Sequence, residues 1–397
     1  MAKYQYMSLA ENVEEMFIGP FGSSLKNDSF VGSEEAYCMV YEQKHAIQGT
    51  MDVETRYVNR KKYDELKRFT VKGGDIIVSC RGTIGKTYVV PDDAPIGIMH
   101  PSIMKIRLKS DVYNKNYFNL LLRNILKQHE LDANGSGVKM AISAKELGAT
   151  LLPVPPIEEQ NHIATMFDQV STLISLRKQQ IAKLDELVKS RFIEMFGDCL
   201  TNPKGWKTKC LEDVADVGSS KRVFVEELKE DGIPFYRGTE VGVLAEGKEV
   251  FPELFITEEH YSELCEATGA PRVGDLLMPS ICPDGRIWIV NTDKPFYFKD
   301  GRVLWVHNIG VSYNPIFLLY TLKDRIMTDY SSIASGTTFA ELKIFALKKC
   351  RIFDVPLTMQ NEFAAFIEQT DKSKLTIQHS LAKLETLKKS LMQKYFG

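Results

Sequence analysis

The chain has 397 residues, 44% of them apolar, and a formal charge of −2. At roughly 100 to 200 residues per domain, this length predicts two or three globular units with cores of their own and argues against disordered or fibrous classes. No stretch approaches the roughly 18 uninterrupted apolar residues of a membrane span, and Met1, Ala2, Lys3 and Tyr4 begin no apolar leader. The expectation is a cytoplasmic protein in which any nucleic-acid binding comes from local patches.

Residues 1–155 read as a mixed α/β head. Ile76, Ile77 and Val78, then Thr87, Tyr88, Val89 and Val90, are short β-rich runs punctuated by glycine, and Ile103 to Leu108 alternates like a half-buried strand. From Tyr117 to Leu131 the pattern turns helical, with Phe118, Leu121, Leu122, Ile125 and Leu126 on one face. Residues 156–200 follow as a long helix. Alternate steps of four and three from Ile163 meet Phe167, Val170, Ile174, Arg177, Ile181, Leu184, Val188, Arg191 and Met195, a seam of the coiled-coil kind. Pro156 suits the first turn, and Gly197 suits the left-handed position past the end.

A second head, 201–355, repeats the order with Leu276 to Met278, Ile287 to Val290, Val303 to Val306 and Ile316 to Ile326. A second tail, 356–397, keeps the seam through Phe363, Ile367, Thr370, Lys374, Ile377, Leu381, Leu384, Lys388, Leu391 and Tyr395. Laid on itself with a shift of 200, the stretch 156–197 matches 356–397 at 13 of 42 positions, against about two or three by chance. The same shift superposes Gly74, Asp75, Gly85 and Val90 on Gly274, Asp275, Gly285 and Val290, with Lys86 facing Arg286. The chain is therefore a head and a tail, twice. Each tail alone would expose its stripe, so the two tails bury it against each other.

Seven cysteines, Cys38, Cys80, Cys199, Cys210, Cys265, Cys282 and Cys350, are scattered and never two apart, which argues against a disulfide framework or a zinc knuckle. The run from Arg81 to Thr87 ends like a phosphate-binding P-loop. However, Cys80 stands where its first glycine belongs, a strand follows, and the second copy lacks the lysine–hydroxyl pair. A strand-joining turn that shows Arg81 and Lys86 to solvent or a phosphate backbone is the better reading. Asp75 and Asp275 follow glycine ahead of a strand, where an aspartate commonly caps a turn. Asn202 and Pro203 are followed by Lys204, so no adenine-methylation motif occurs, nor does a paired-histidine metal motif or a nucleophile elbow.

Local basic patches remain. Arg56, Arg60, Lys61, Lys62, Lys67 and Arg68, interleaved with Tyr57, Tyr63 and Phe69, suit a phosphate track or a solvated helix face, with Asp64 and Glu65 diluting them. Gly22, Ser23, Ser24 and Lys26 near the start of the first head answer Gly218, Ser219, Ser220, Lys221 and Arg222 in the second, and Arg237 and Arg286 complete the DNA-contact candidates. The first head carries 20 basic and 18 acidic residues and the second 19 and 23, so tight DNA binding calls for a partner.

These features resemble the specificity subunits of type I restriction-modification systems. The likeness spans nearly the whole chain. It rests on the repeat, on Gly74, Asp75, Ile76, Ile77 ahead of Arg81, Gly82, Thr83, Ile84, Gly85, on Pro153 to Gln160 leading into the helix, and on the opening Gly19, Pro20, Phe21, Gly22, Ser23, Ser24, Leu25, Lys26. The second copy departs, with Ser280, Ile281, Cys282, Pro283 in place of the arginine–glycine turn. The resemblance implies a non-catalytic subunit whose two heads are target recognition domains, each reading half of a split, asymmetric sequence in double-stranded DNA. An antiparallel helix pair would set the spacing and dock two methyltransferase subunits. S-adenosylmethionine would belong to those partners, restriction subunits would be optional further members, and the chain itself would hold no cofactor and no metal. The alternatives are a module of another anti-phage methylation system and a coiled-coil adaptor without a DNA role.

Overall fold

The computed structural model of the protein describes residues 4–81, 83–109, 112–134, 143–336 and 340–397. It divides into two compact units, Met1–Arg177 with Ser380–Gly397, and Lys178–His379. Each unit is thus one head plus part of both tails, a cut through the helices rather than at their ends.

The first unit runs β1 (Gln5–Ser8), α1 (Leu9–Asn12), β2 (Val13–Ile18), β3 (Cys38–Tyr41), α2 (Gln43–Gln48), β4 (Tyr57–Val58), α3 (Arg60–Glu65), β5 (Thr70–Val71), β6 (Ile76–Ser79), β7 (Thr87–Val89), β8 (Gly97–Met99), β9 (Ile103–Leu108), α4 (Lys115–Asn134), α5 (Ala144–Ala149), β10 (Leu151–Val154) and the start of α6 (Ile157–Phe196). An antiparallel sheet in the order β2-β9-β6-β7 faces a mixed sheet β4-β3-β8-β5, in which β3 and β8 are parallel. One face of the first sheet, with Ile76, Val78, Met104 and Ile106, packs on Phe118, Leu122 and Leu126 of α4. The other face, with Ile77 and Ile103, packs on Met39, Tyr41, Val71 and Met99. Strand β9 is therefore not half-buried as its alternation suggests: Ile103, Met104, Lys105 and Ile106 are all buried. With both faces covered, the alternation selects which core a residue enters.

The second unit repeats this plan through β11 (Thr208–Cys210), β12 (Asp216–Gly218), β13 (Ile233–Tyr236), α7 (Gly238–Ala245), β14 (Phe255–Ile256), α8 (Glu258–Thr268), β15 (Leu276–Pro279), β16 (Trp288–Ile289), β17 (Tyr297–Phe298), β18 (Val303–His307), α9 (Pro315–Ile333), β19 (Ala334–Ser335), β20 (Glu341–Leu342), α10 (Ile344–Lys348), β21 (Arg351–Phe353) and α11 (Leu357–Phe396). Its sheet β12-β18-β15-β16 copies the first, and the parallel pair β13·β17 copies β3·β8.

Within each unit the two long helices run antiparallel. In the first, the rings of Phe167 and Phe396 lie 5.9 Å apart, Lys388 Nζ donates to Ser171 Oγ (2.9 Å) and Arg177 Nε to Ser380 Oγ (3.3 Å). In the second, Phe192 meets Phe363 at 5.5 Å, Arg191 Nη2 donates to Glu362 Oε1 (2.8 Å) and Lys374 Nζ to Asp185 Oδ1 (2.7 Å). The charged seam residues Arg177, Arg191, Lys374 and Lys388 are thus answered across the pair, while Thr370 Oγ1 donates to Phe366 O of its own helix. Ile163, Phe167, Val170, Val188, Phe363 and Ile367 are buried, whereas Ile174, Ile181, Leu184, Ile377, Leu381, Leu384 and Leu391 are only partly so. The helix ends pack on a head as well as on each other; the middle has only its partner helix. Phe192 and Phe196, off the four-three count, are buried because the second head's core takes them in. Gly197 closes α6 at φ +86°, the left-handed residue expected there.

The repeat identities at Gln160 and Asn161 have a structural cause. Gln160 is fully buried; its Oε1 accepts from Asn114 N (2.9 Å), and its Nε2 donates to the carbonyls of Val112 and Pro155. Asn114 Nδ2 donates to Asn161 Oδ1 (2.8 Å). Asn314, Gln360 and Asn361 rebuild the same joint in the second unit. A buried amide with all its bonds made fixes each helix to its head.

Candidate nucleic-acid interface

Each head ties three loops to the stretch leading into the middle strand of its sheet. In the first, Gly19 N donates to Ile103 O, Cys80 N to Ser102 O and His100 N to Tyr41 O, each at 2.9 Å. A β-carbon on Gly19 would stand 2.2 Å from His100 O, so only glycine fits. In the second head, Ser219 Oγ donates to Val303 O (2.6 Å), Ser280 N to Arg302 O and Lys299 N to Tyr236 O, the last two at 2.9 Å. Two segments of different sequence therefore build one platform twice.

The turn after β6 is the strand connector expected of it. Ser79 N donates to Lys86 O (2.8 Å), Gly85 N to Ser79 O (2.9 Å) and Lys86 N to Ser79 Oγ (2.9 Å), and β7 follows. Gly82 lies outside the described residues; Arg81 and Lys86 are exposed. In the second head Arg286 folds back toward Asp284 (2.8 Å), with its Nη1 2.9 Å from where a β-carbon on Gly242 of α7 would lie.

Carboxylates aim the arginines. Glu42, buried at the start of α2, pairs with Arg56 and with Lys44 (3.0 Å). Burial alone would raise the Glu42 carboxyl, but these two cations outweigh it and hold it below its ordinary value. Arg56 also lies over the Phe30 ring at 3.9 Å. Burial pushes the nearby His100 imidazole down. In the second head the residue directly after β13, where Glu42 stands after β3, is Arg237, whose Nε lies 3.1 and 3.2 Å from the Glu240 carboxylate and whose Nη2 reaches Glu253 at 3.3 Å. Against its burial, Arg237 and backbone N–H donors bring Glu240 to about 2. Each head so presents a partly exposed guanidinium held by a mostly buried acid.

The basic stretch 56–68 does not form one track. Arg56 sits beside the end of β3, while Arg60, Lys61 and Lys62 sit on α3, where Arg60 covers Tyr37 at 4.6 Å, just ahead of that strand. Arg60 pairs with Asp64 (3.2 Å) and Lys62 with Glu65 (2.6 Å), as a solvated helix face does. The glycine–serine segments are not equivalents either. Ser23 and Ser24 belong to a 3₁₀ turn, Gly22–Ser24; it is the next turn, Asn27–Ser29, two residues ahead of the Val31–Tyr57 bridge, that answers Val225–Glu227, two residues ahead of the Lys229–Phe255 bridge. Ser219 and Ser220 precede that turn, and their hydroxyls serve the backbone at Val303 and Phe298. Lys26 and Lys221 are exposed, and Arg222 Nε lies 3.6 Å from Asp300. Glu42 meets Arg56 only through the fold and has no sequence signature of its own, whereas Glu240 stands three residues after Arg237, a spacing that could have found it.

Asp75 and Asp275 cap turns as expected, accepting from Lys72 N and Arg272 N at 2.9 Å. All seven cysteines are free, and burial pushes the Cys80 and Cys282 thiols to about 12, which makes them inert. Among the described residues no helix is long and apolar enough to cross a membrane, and no cluster of side chains suits a metal ion.

Residues 35–186 and 203–388 each match the family model for the type I restriction modification DNA specificity domain. The MjaIX type I restriction enzyme specificity subunit of Methanocaldococcus jannaschii is 23% identical over 364 residues, covering 85% of this chain and 80% of its own. The Escherichia coli EcoBI specificity subunit is 22% identical over 360 residues, covering 81% and 73%. Among solved structures, a chain from a study of complex assembly and conformational transition in the type I system aligns with a TM-score of 0.60 at 17% identity, over 100% of this chain and 98% of that one. The type I S subunit from M. genitalium aligns with a TM-score of 0.57 at 13% identity, over 100% and 97%. The two structural matches speak to the fold.

Proposed function

This chain belongs to the type I restriction-modification DNA specificity family, and from that premise we propose that its two heads each read one half of a split, asymmetric site in double-stranded DNA. The observation that carries the reading is the platform built twice with different side chains. Arg56 beside the end of β3 and Arg81 after β6 in the first head, and Arg237 after β13 in the second, are guanidiniums on the loops at these strand ends, and two of them are pre-aimed by an acid. A fixed guanidinium suits the O6 and N7 acceptors of guanine in the major groove. Exposed Lys26, Lys86 and Lys221 suit phosphates, which set register without reading sequence.

In this reading the chain transfers no methyl group. Two methyltransferase subunits dock on the helix pair and bring S-adenosylmethionine; restriction subunits, where present, add to that assembly. The place of action is the cytoplasm, with the DNA the chain selects. Heads that differ while their helix joints match imply independent half-sites. The test is an exchange of residues 1–155 for the first head of another family member, followed by mapping of methylated sites in cells that also carry the methyltransferase. One half-site should change while the other half and the gap stay the same. A change in both halves would overturn the division of labour, and a target unaltered by the exchange would overturn DNA reading by the heads.

A further inference from the structure

The first head holds a histidine among its cationic loops and leaves one ring nitrogen unused. His100 directly follows β8, and its backbone is held on both sides: its N–H donates to Tyr41 O (2.9 Å) and its carbonyl accepts from Ile103 N (3.2 Å). The ring is held too. Ser102 N donates to Nδ1 (3.2 Å), and Ser102 Oγ lies 2.7 Å from the same nitrogen. A backbone N–H can only donate, so Nδ1 carries the lone pair and Nε2 carries the proton of the neutral imidazole. Ser102 is itself buried, and its carbonyl accepts from Cys80 N (2.9 Å), the residue before Arg81.

The Nε2 of His100 meets no partner among the described residues and is open to solvent, unlike the sealed Nε2 of His45. Around the ring stand Glu42 and Lys44 at the start of α2, Arg56 ahead of β4 and Arg81 on the turn after β6. Burial pushes the imidazole below its ordinary value, and the three cations push it the same way against Glu42. At neutral pH the ring therefore presents one N–H, in one tautomer, among guanidiniums. The second head fills the same place differently. Tyr41 stands opposite Met99 in β3·β8 and Tyr236 opposite Phe298 in β13·β17, so the residues that follow, His100 and Lys299, are equivalents. Their backbone bonds agree: Lys299 N donates to Tyr236 O (2.9 Å), and Lys299 O accepts from Val303 N (3.1 Å). One braced position thus carries a neutral single donor in one head and an exposed ammonium in the other.

Resting on the DNA-recognition reading, we propose that His100 is a specificity-determining residue of the first head, whose Nε2–H donates to N7 of a purine in the half-site that head reads. A lone donor tells bases apart by where they offer an acceptor. Adenine and guanine both present N7 in the major groove, whereas cytosine offers an amino donor and thymine sets its methyl group beside O4. The bond admits either purine and rejects pyrimidines, unlike a guanidinium, which prefers guanine. A ring already fixed by its own loop loses little freedom on binding.

The test uses the full chain assembled with its methyltransferase subunits, on a target identified by methylation mapping, with purines outside the methylated adenines replaced singly by their 7-deaza analogues. The first head's half-site, the one that changes when residues 1–155 are exchanged, should contain a position where wild type accepts either purine and where the 7-deaza analogue weakens binding about five-fold. His100→Asn keeps an acceptor for Ser102 N at the place of Nδ1 but lacks the outward N–H. It should erase the 7-deaza loss at that position and no other, and admit pyrimidines there. His100→Lys, the residue this fold carries there in the second head, should favour guanine over adenine at that position about ten-fold. A 7-deaza loss that survives everywhere in His100→Asn, no such loss in a wild-type complex that binds its target selectively, or an unchanged preference in His100→Lys overturns the assignment and leaves the DNA reading standing. Erasure of a loss in the other half-site also overturns it. A wild-type complex that shows no selective binding overturns the DNA-recognition reading itself and the role of His100 with it.

Discussion

The two heads solve one buried position in opposite ways. In the first, Asp75 receives Arg107 through two bonds of 2.7 Å, and Lys105, itself buried, donates to Glu15 (2.5 Å) and Thr70 O (2.8 Å). In the second, the residues 200 positions on are His307 and Trp305. The indole donates to Asp275 (2.9 Å) and stacks on the imidazole at 3.8 Å. One backbone slot accepts either a charge network or a neutral bond backed by aromatic surface. The difference teaches that the repeat conserves where an acid caps the sheet and leaves open what answers it.

Breaking the answer should cost the heads unequally. Arg107→Ala strands Asp75 in the interior and should destabilise the first unit by about 3–5 kcal/mol. Trp305→Phe removes one bond to Asp275 and should cost the second unit about 1–3 kcal/mol. Hydrogen exchange resolved by peptide separates the two units and checks both. Equal losses would contradict the contrast.

The helix pair sharpens the comparison. Ile181 and Leu384 are half-buried, so Ile181→Asp or Leu384→Asp should cost about half of the roughly 2–5 kcal/mol expected for a fully buried large residue, whereas Phe363→Ala should cost the whole. Thermal denaturation of the three variants orders them.

Acid separates the heads further. Burial raises the Glu15 carboxyl but Lys105 and Arg107 lower it more. Its contribution is therefore present above the unfolded value of about 4.5 and is lost as pH falls through the folded one. Asp275 is raised, first by burial. Its favourable contribution is present below the unfolded value near 3.8 and is lost as pH rises through the folded one. On acidification from pH 6 to 4, Glu15→Gln should reduce the first unit's loss of exchange protection, and Asp275→Asn should remove the second unit's compensating gain. Smallest of all, Lys374→Ala removes a largely exposed pair with Asp185 and should change stability by less than about 1 kcal/mol, read by chemical denaturation.

Much of this fold is legible in the sequence because it is periodic or repeated. The seam from Ile163 to Met195, the glycine at 197 and the strand runs at 76 and 276 each follow from spacing. The site is less legible. Arg56, Arg81 and Arg237 attract notice as cations, yet the acids that aim two of them follow no common pattern: Glu240 lies on α7 three residues after Arg237, whereas Glu42 lies 14 residues from Arg56 and meets it only through the fold. Ser23 and Ser219 look alike in sequence but occupy different points of the loop, since Ser219 directly follows β12 whereas Ser23 stands five residues beyond the end of β2.

The central claim is that each platform reads its own half of the target, and one measurement addresses it directly. Methylated sites are mapped in cells carrying the methyltransferase with wild-type chain, Arg56→Ala or Arg237→Ala. The account predicts that each substitution relaxes one position in one half-site, a different half for each, with the other half and the gap between them unchanged. Relaxation of the same half-site by both substitutions, or an unaltered target with both, would contradict it.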